Sequence, residues 1–259
     1  MTMTKVLWTV DMGTAARQAQ LLADAQAIGA TVVCIRSDNV LLPGAIPTFH
    51  AAGIAVRAWR WPAVMPGPHT APHYYAMDEA AYITGTLMPA GLDGYIIDAE
   101  SDPGSPINAW DGPGTTALAN AFCNAITGAV AAGTPTCPGP FTFGVTAGCR
   151  QPSNNPGIPW AVFAAACDAV YPQAYWRAAL PAVTAINGGT PALAQARAIA
   201  AWTPIAGGDT IRCMAGELNL VTAAEITGYG AACAGQDELH FYTDVPGIDP
   251  GVLAAANAL

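Results

Sequence analysis

A chain of 259 residues with a formal net charge of −9 and only 10% Asp, Glu, Lys and Arg is short of charge, since soluble domains average about 25%. An acidic balance with nine basic side chains excludes nucleic acid and an anionic membrane surface as expected partners. No apolar run reaches the roughly 18 residues needed to span a bilayer, so no membrane association is expected either.

The first residues, MTMTKVLWTVDMG, carry one Lys and pass directly into a strand-like run, without the three-part pattern of a secretion signal. That leaves the localisation open between the cytoplasm before release and a virion. From there strand-like and helical stretches alternate. KVLWTV (Lys5 to Val10) precedes a helix from Thr14 to Ile28, with Thr14 as N-cap and Gly29 as stop. TVVCIR (Thr31 to Arg36) leads through a Pro-broken helix near Ile46 to Ala52. IAVRAWRW (Ile54 to Trp61) precedes a helix around Met77 to Met88, and DGYIIDAE (Asp93 to Glu100) one from Thr115 to Ala131. FTFGVTA (Phe141 to Ala147) precedes a short helix at Trp160 to Ala166. DAVYPQAYW (Asp168 to Trp176) precedes a helix opened by Thr190 and Pro191. TIRCMAG (Thr210 to Gly216) precedes one whose Thr222 and Glu225 form a capping box, and ELHFYTD (Glu238 to Asp244) leads into a terminal helix from Gly251.

Apolar strands alternating with helices require right-handed crossovers and a parallel sheet, and eight units in about 250 residues match a closed (β/α)8 TIM barrel. The expectation is an α/β chain forming one barrel domain over residues 1–259. A doubly wound open sheet is the alternative, but VDMGTA after the first strand lacks the GxGxxG phosphate loop.

In a barrel the strand C-termini converge on one mouth, and the scarce charge gathers there. Along the fourth strand Asp98 and Glu100 point the same way, into the mouth, while Ala99 points outward. Of two such carboxylates the drier one is pushed to a higher pKa and can act as an acid, and the other stays ionised. Asp11, Glu217 and Asp244 end the first, seventh and eighth strands; Arg36 and Asp38 end the second. Arg57, Trp59, Arg60 and Trp61 cluster on the third, where they could form a salt-bridged rim, and Gln173, Tyr175 and Trp176 end the sixth. Asp102, further along the fourth loop, reads as an ordinary solvated acid. Carboxylates among Trp and Tyr suit a sugar, whose rings stack on aromatic faces.

Other chemistries find less support. The four histidines make no nucleophile–base set: His50 reads as helical, His69 and His73 sit in a Pro-rich loop, and His240 lies within the eighth strand. No GxSxG elbow occurs. The seven cysteines show no zinc spacing; Cys34 and Cys213 read as buried thiols, and Cys137 and Cys149, flanking the fifth strand, could pair.

DGYIIDAE resembles the fourth strand of barrel glycoside hydrolases, particularly family 25 lysozymes and their relatives, in which an apolar strand ends in Asp-x-Glu. The stretch from Val145 to Trp176, VTAGCRQPSNNPGIPWAVFAAACDAVYPQAYW, is similar to a segment of bacterial and phage lysozyme-like barrels that reads roughly YRxPSxHPxxPWxxFLxxCDxxMPQxYW. It shares Pro152, Ser153, Pro156, Pro159, Trp160, Phe163, Cys167, Asp168, Pro172, Gln173, Tyr175 and Trp176. Asn155 stands where that pattern has His, and the first strand reads WTVDMGTAA where family 25 reads close to GIDVSxxQ. The resemblance implies Glu100 as general acid, Asp98 as its partner and Asp11 as a subsite carboxylate.

The combined expectation is a glycoside hydrolase cleaving a bacterial cell-wall or other amino-sugar polysaccharide. Glu100 and Asp98 would be catalytic. Asp11, Arg36, Trp59, Trp61, Gln173, Tyr175, Trp176, Glu217 and Asp244 would bind substrate, with no metal or organic cofactor. The alternative is a barrel that binds glycan or builds a virion or surface assembly without turnover, as a homo-oligomer or larger array, because so weakly charged a surface suits a subunit buried in contacts.

Overall fold

A computed structural model of the protein describes residues 3–67, 71–101, 106–206 and 210–259. Eight strands run β1 (Thr4–Thr9), β2 (Val32–Arg36), β3 (Ala55–Arg60), β4 (Gly94–Asp98), β5 (Thr142–Gly148), β6 (Ala169–Gln173), β7 (Met214–Glu217) and β8 (Glu238–Tyr242). They form one parallel sheet in the order β6-β5-β4-β3-β2-β1-β8-β7. Its two ends meet through a bridge between Val170 and Ile211, where the Arg212 N–H donates to the Val170 carbonyl at 2.9 Å. The protein is a TIM barrel, as the alternation of elements implied. The seam between β6 and β7 is its thinnest join, since β7 has four residues and its register against β8 shifts between Met214 and Glu217.

The helices are α1 (Ala15–Ala27), α2 (Leu42–Ala51), α3 (Ala76–Tyr82, continuing as a π turn over Ile83–Leu87), α4 (Thr115–Ala131), α5 (Gln151–Asn154), α6 (Trp160–Ala166), α7 (Pro181–Asn187), α8 (Pro191–Ala206), α9 (Ala223–Ala232) and α10 (Pro250–Asn257). Thr14 caps α1 by accepting the Arg17 N–H at 3.1 Å, and Gly29 leaves it at φ +69°, in the left-handed region. Thr222 and Glu225 form the expected capping box on α9. The short α5 and α7, which follow β5 and β6, have no counterpart in the sequence reading. Each opens on a proline in its first turn and is too brief to show a helical period.

Strand alternation sorts the apolar side chains into two sets. One fills the layer between sheet and helices; the other, including Val6, Trp8, Val32, Ile96, Tyr171 and Met214, fills the barrel itself. Gly144 makes room inside, because a Cβ there would stand 2.4 Å from the Tyr171 ring. The inner floor is polar: Arg57 donates twice to the Glu238 carboxylate (2.8 and 3.1 Å), and the Trp8 indole donates to His240 Nδ1 at 3.0 Å.

The third-strand cations therefore do not make the expected rim. Arg57 turns into the barrel floor, whereas Arg60 turns outward to Glu79 and Asp38. Most strands differ from their expected bounds by one or two residues at an end, β4 stopping at Asp98 and β8 at Tyr242, and β6 and β7 differ most. β6 stops at Gln173 because the Ala174 N–H folds back onto the Pro172 carbonyl (2.8 Å), and β7 starts only at Met214. All seven cysteines are free thiols. Cys137 and Cys149 cannot pair as considered, because they lie before and after β5, whose seven residues span about 23 Å.

Candidate active site

β4 carries the first carboxylate at its last residue. Asp98 is 5% exposed, and the ladder continues one step beyond it through the Ala99 N–H, which donates to the Thr146 carbonyl at 3.0 Å. That extra step keeps Ala99 in the outer layer and leaves Glu100 half-buried at the mouth. β5 then holds Glu100, as the Gly148 N–H donates to its Oε1 at 2.8 Å. From β6 the Gln173 amide donates to Asp98 Oδ1 at 3.1 Å. Burial pushes the Asp98 carboxyl well above the usual carboxylate range and the neighbouring Glu100 charge pushes it further, with Gln173 only partly offsetting them. Asp98 is thus the drier of the two acids.

Two adjoining cavities open at this end of the barrel. The inner one, about 140 Å³, is lined by Asp98 with Trp8, Trp59, Met214 and Tyr242. The outer one, about 470 Å³, is lined by Glu100 with Gly148, Arg150, Asn154, Leu180 and Asn187. Gln173, Tyr175 and Glu217 belong to both and form the wall between them. The rings are held in place: Trp59 donates to the Thr9 carbonyl at 3.0 Å, and the Tyr175 and Tyr242 centroids stand 5.4 Å apart. Glu217 accepts the Ala179 N–H at 3.0 Å. Burial raises its pKa, the Ala179 bond opposes that rise, and Asp244 adds to it.

Asp98, Glu100, Trp59, Gln173, Tyr175 and Glu217 come together as the sequence suggested. Five others do not line either cavity. Trp176 is fully buried in the helix-side layer, 5.5 Å from Tyr229, and Trp61 packs against the same layer, because both follow strands that have already ended. Asp11 is exposed and folds onto the Gly13 N–H (2.7 Å). Arg36 pairs with Asp38 at 2.6 Å, and Asp244 is exposed, acting on Glu217 only through its charge. Asp102 and His69 lie outside the described residues. Trp8, Met214, Tyr242 and Arg150 were missed. Trp8 shares the parity of Val6 inside the barrel, a signal overlooked by attending to strand ends alone.

A cavity of about 370 Å³ at the opposite end, lined by His50, Arg57 and Asp93, has a different character. Its acid is spent on structure, since Asp93 Oδ2 lies 2.7 Å from both His50 Nε2 and the Val56 N–H.

No family model and no curated sequence matches the chain. Among solved structures it is similar to the Bacillus cereus spore cortex-lytic enzyme SleL, with a TM-score of 0.62, 9% identity, and coverage of 98% of this chain and 73% of that one. It is also similar to the catalytic domain of a hyperthermophilic chitinase from Pyrococcus furiosus (TM-score 0.61, 10% identity, 100% and 95% covered). A triosephosphate isomerase from Bartonella henselae matches as well (TM-score 0.50, 14% identity, 100% of both chains covered). At such identities the likeness is one of fold.

Proposed function

We propose that this barrel is a glycoside hydrolase acting on a bacterial cell-wall or related amino-sugar polysaccharide, with Glu100 as general acid and Asp98 as its partner. The observation that carries the reading is the paired carboxylates of β4 opening into two contiguous cavities walled by Trp8, Trp59, Tyr175 and Tyr242. The similarity in fold to a cortex-lytic enzyme and a chitinase supports it.

The roles follow from placement. Two acids close together in a dry mouth resist both being ionised, and burial, with the neighbouring Glu100 charge, favours the protonated form of Asp98. A sugar in the inner cavity would meet Asp98 and the aromatic rings, and its leaving oxygen would face the outer cavity, which Glu100 fronts. The proton favoured on Asp98 passes to Glu100 as the sugar fills the mouth; Glu100 gives it to the leaving oxygen, and Asp98, now ionised, orients an N-acetyl group or stabilises the positive charge developing on the ring. If the acetamido oxygen is the nucleophile, no second carboxylate about 5 Å from the acid is needed.

The test is release of reducing ends from purified peptidoglycan and a panel of polysaccharides. Glu100→Gln should lower the rate about 10²–10⁴-fold with the fold intact by circular dichroism. Equal activity in variant and wild type would remove Glu100 from the role. No release from any glycan would favour a non-catalytic binding or assembly role, to which the exposed Leu180, Ile186, Leu193 and Ile199 of the α7–α8 stretch also lend support.

A further inference from the structure

The basic side chains are few, and nearly all are accounted for. Arg17, Arg36, Arg57, Arg60, Arg177 and Arg212 each stand within ion-pair distance of a carboxylate, and Lys5 is held by the Ile28 and Asn257 carbonyls. Among the described residues, Arg150 and Arg197 have no carboxylate partner. This is unexpected in a chain with 18 acids and nine bases, where a surplus of negative charge is at hand to neutralise any guanidinium. The two are also neighbours. Both line one shallow cavity of about 370 Å³ with Ser153, and Arg150 lines the outer cavity of the candidate active site as well. Arg197 is held at one end, its Nη1 donating to the Ile186 carbonyl at 2.6 Å. Arg150 follows Gly148 by two residues, so the segment that holds Glu100 through the Gly148 N–H also carries one of the two cations.

We infer that Arg150 and Arg197 form an anion subsite at the edge of the outer cavity, taking the carboxylate of an acidic amino-sugar glycan. The inference rests on the glycosidase reading and narrows it, from amino-sugar polymers in general to those bearing a free carboxylate, such as peptide-free strands whose muramic acid keeps its lactyl carboxylate. Two adjacent guanidiniums repel each other, and an anion between them removes the repulsion while each planar fork donates hydrogen bonds that match a carboxylate. The inner cavity recognises the ring through aromatic faces. The arginine pair recognises what hangs from the next ring along the wall.

The experiment compares alternating N-acetylglucosamine–N-acetylmuramic acid strands with the same strands after methyl esterification of the lactyl carboxylates, which removes the charge and leaves the sugars. Turnover is measured as KM and kcat, and binding separately by titration calorimetry. The native strands should show a KM and Kd about tenfold lower than the ester, the size of one charge-assisted hydrogen bond, with the difference in KM rather than kcat. In Arg150→Gln, whose side chain makes no hydrogen bond among the described residues, and in Arg197→Gln, the native-to-ester ratio should fall towards one. Equal affinity for native and esterified strands in the wild-type protein would overturn the subsite, as would an unchanged ratio in both variants. Carboxylate-dependent binding without turnover of either strand would uphold the subsite and sink the glycosidase reading alone.

Discussion

At the scale of single residues, the mouth depends on where each acid finds its neighbours. Asp98 and Glu100 are separated by one alanine, yet one is enclosed by the barrel interior and the other by the end of β5. Their common direction was legible in the sequence, because strand alternation needs nothing but the residue order. Trp61 and Trp176 misled for the same reason in reverse: alternation lapses once the ladder ends, and the chain gives no mark of the residue at which it does. Glu79 was illegible altogether, since a Glu in a helix reads as a solvated side chain. It is fully buried, accepting a hydrogen bond from the Ser37 hydroxyl with Arg60 Nη1 3.4 Å away. Burial raises its pKa to about 7, the Arg60 charge and the Ser37 bond only partly opposing. A carboxyl whose folded pKa lies above its unfolded value of 4.5 favours the folded state at low pH, and that advantage is lost as pH rises from about 4.5 to about 7. The loss amounts to about 3 kcal/mol. Glu79→Gln should therefore flatten the pH dependence of stability across that window, as read from urea unfolding at half-unit pH steps. An unaltered slope would mean that Glu79 ionises normally.

At the scale of elements, helices with explicit end signals were the legible ones. Thr14 and Gly29 bracket α1, and Thr222 with Glu225 opens α9, both as written in the sequence. Thr222 lends itself to measurement because its bonds to Glu225 are local and exposed. Thr222→Ala should lower stability by about 1 kcal/mol, read as a shift in the urea midpoint at constant slope. A change within error would assign the end of α9 to packing rather than to its cap. α5 and α7 escaped notice because four and seven residues display too little of a helical period, and both sit in loops whose shape is set by what they pack on.

At the scale of the molecule, counting units was enough to give the barrel, because eight parallel strands with helical crossovers have one common closed arrangement. The quality of the closure was not countable. The segment just before β7 offers β6 a single bridge, Ile211 to Val170, and β7 pairs irregularly with β8, where the remaining neighbours share continuous ladders. Amide exchange should accordingly be fastest among the strands in the Ile211–Glu217 stretch and slowest in β1, β2 and β3. Uniform protection around the ring would show that side-chain packing compensates for the missing ladder.

The seam also divides the mouth, for Gln173 ends β6 and Glu217 ends β7, on opposite sides of the join. A sugar held by both would act as a clamp across the weakest circumference of the barrel, supplying from outside the cohesion that the backbone does not. Occupancy and closure then become one equilibrium: every increment of affinity for a bound chain is also an increment of resistance to melting, growing with the logarithm of its concentration.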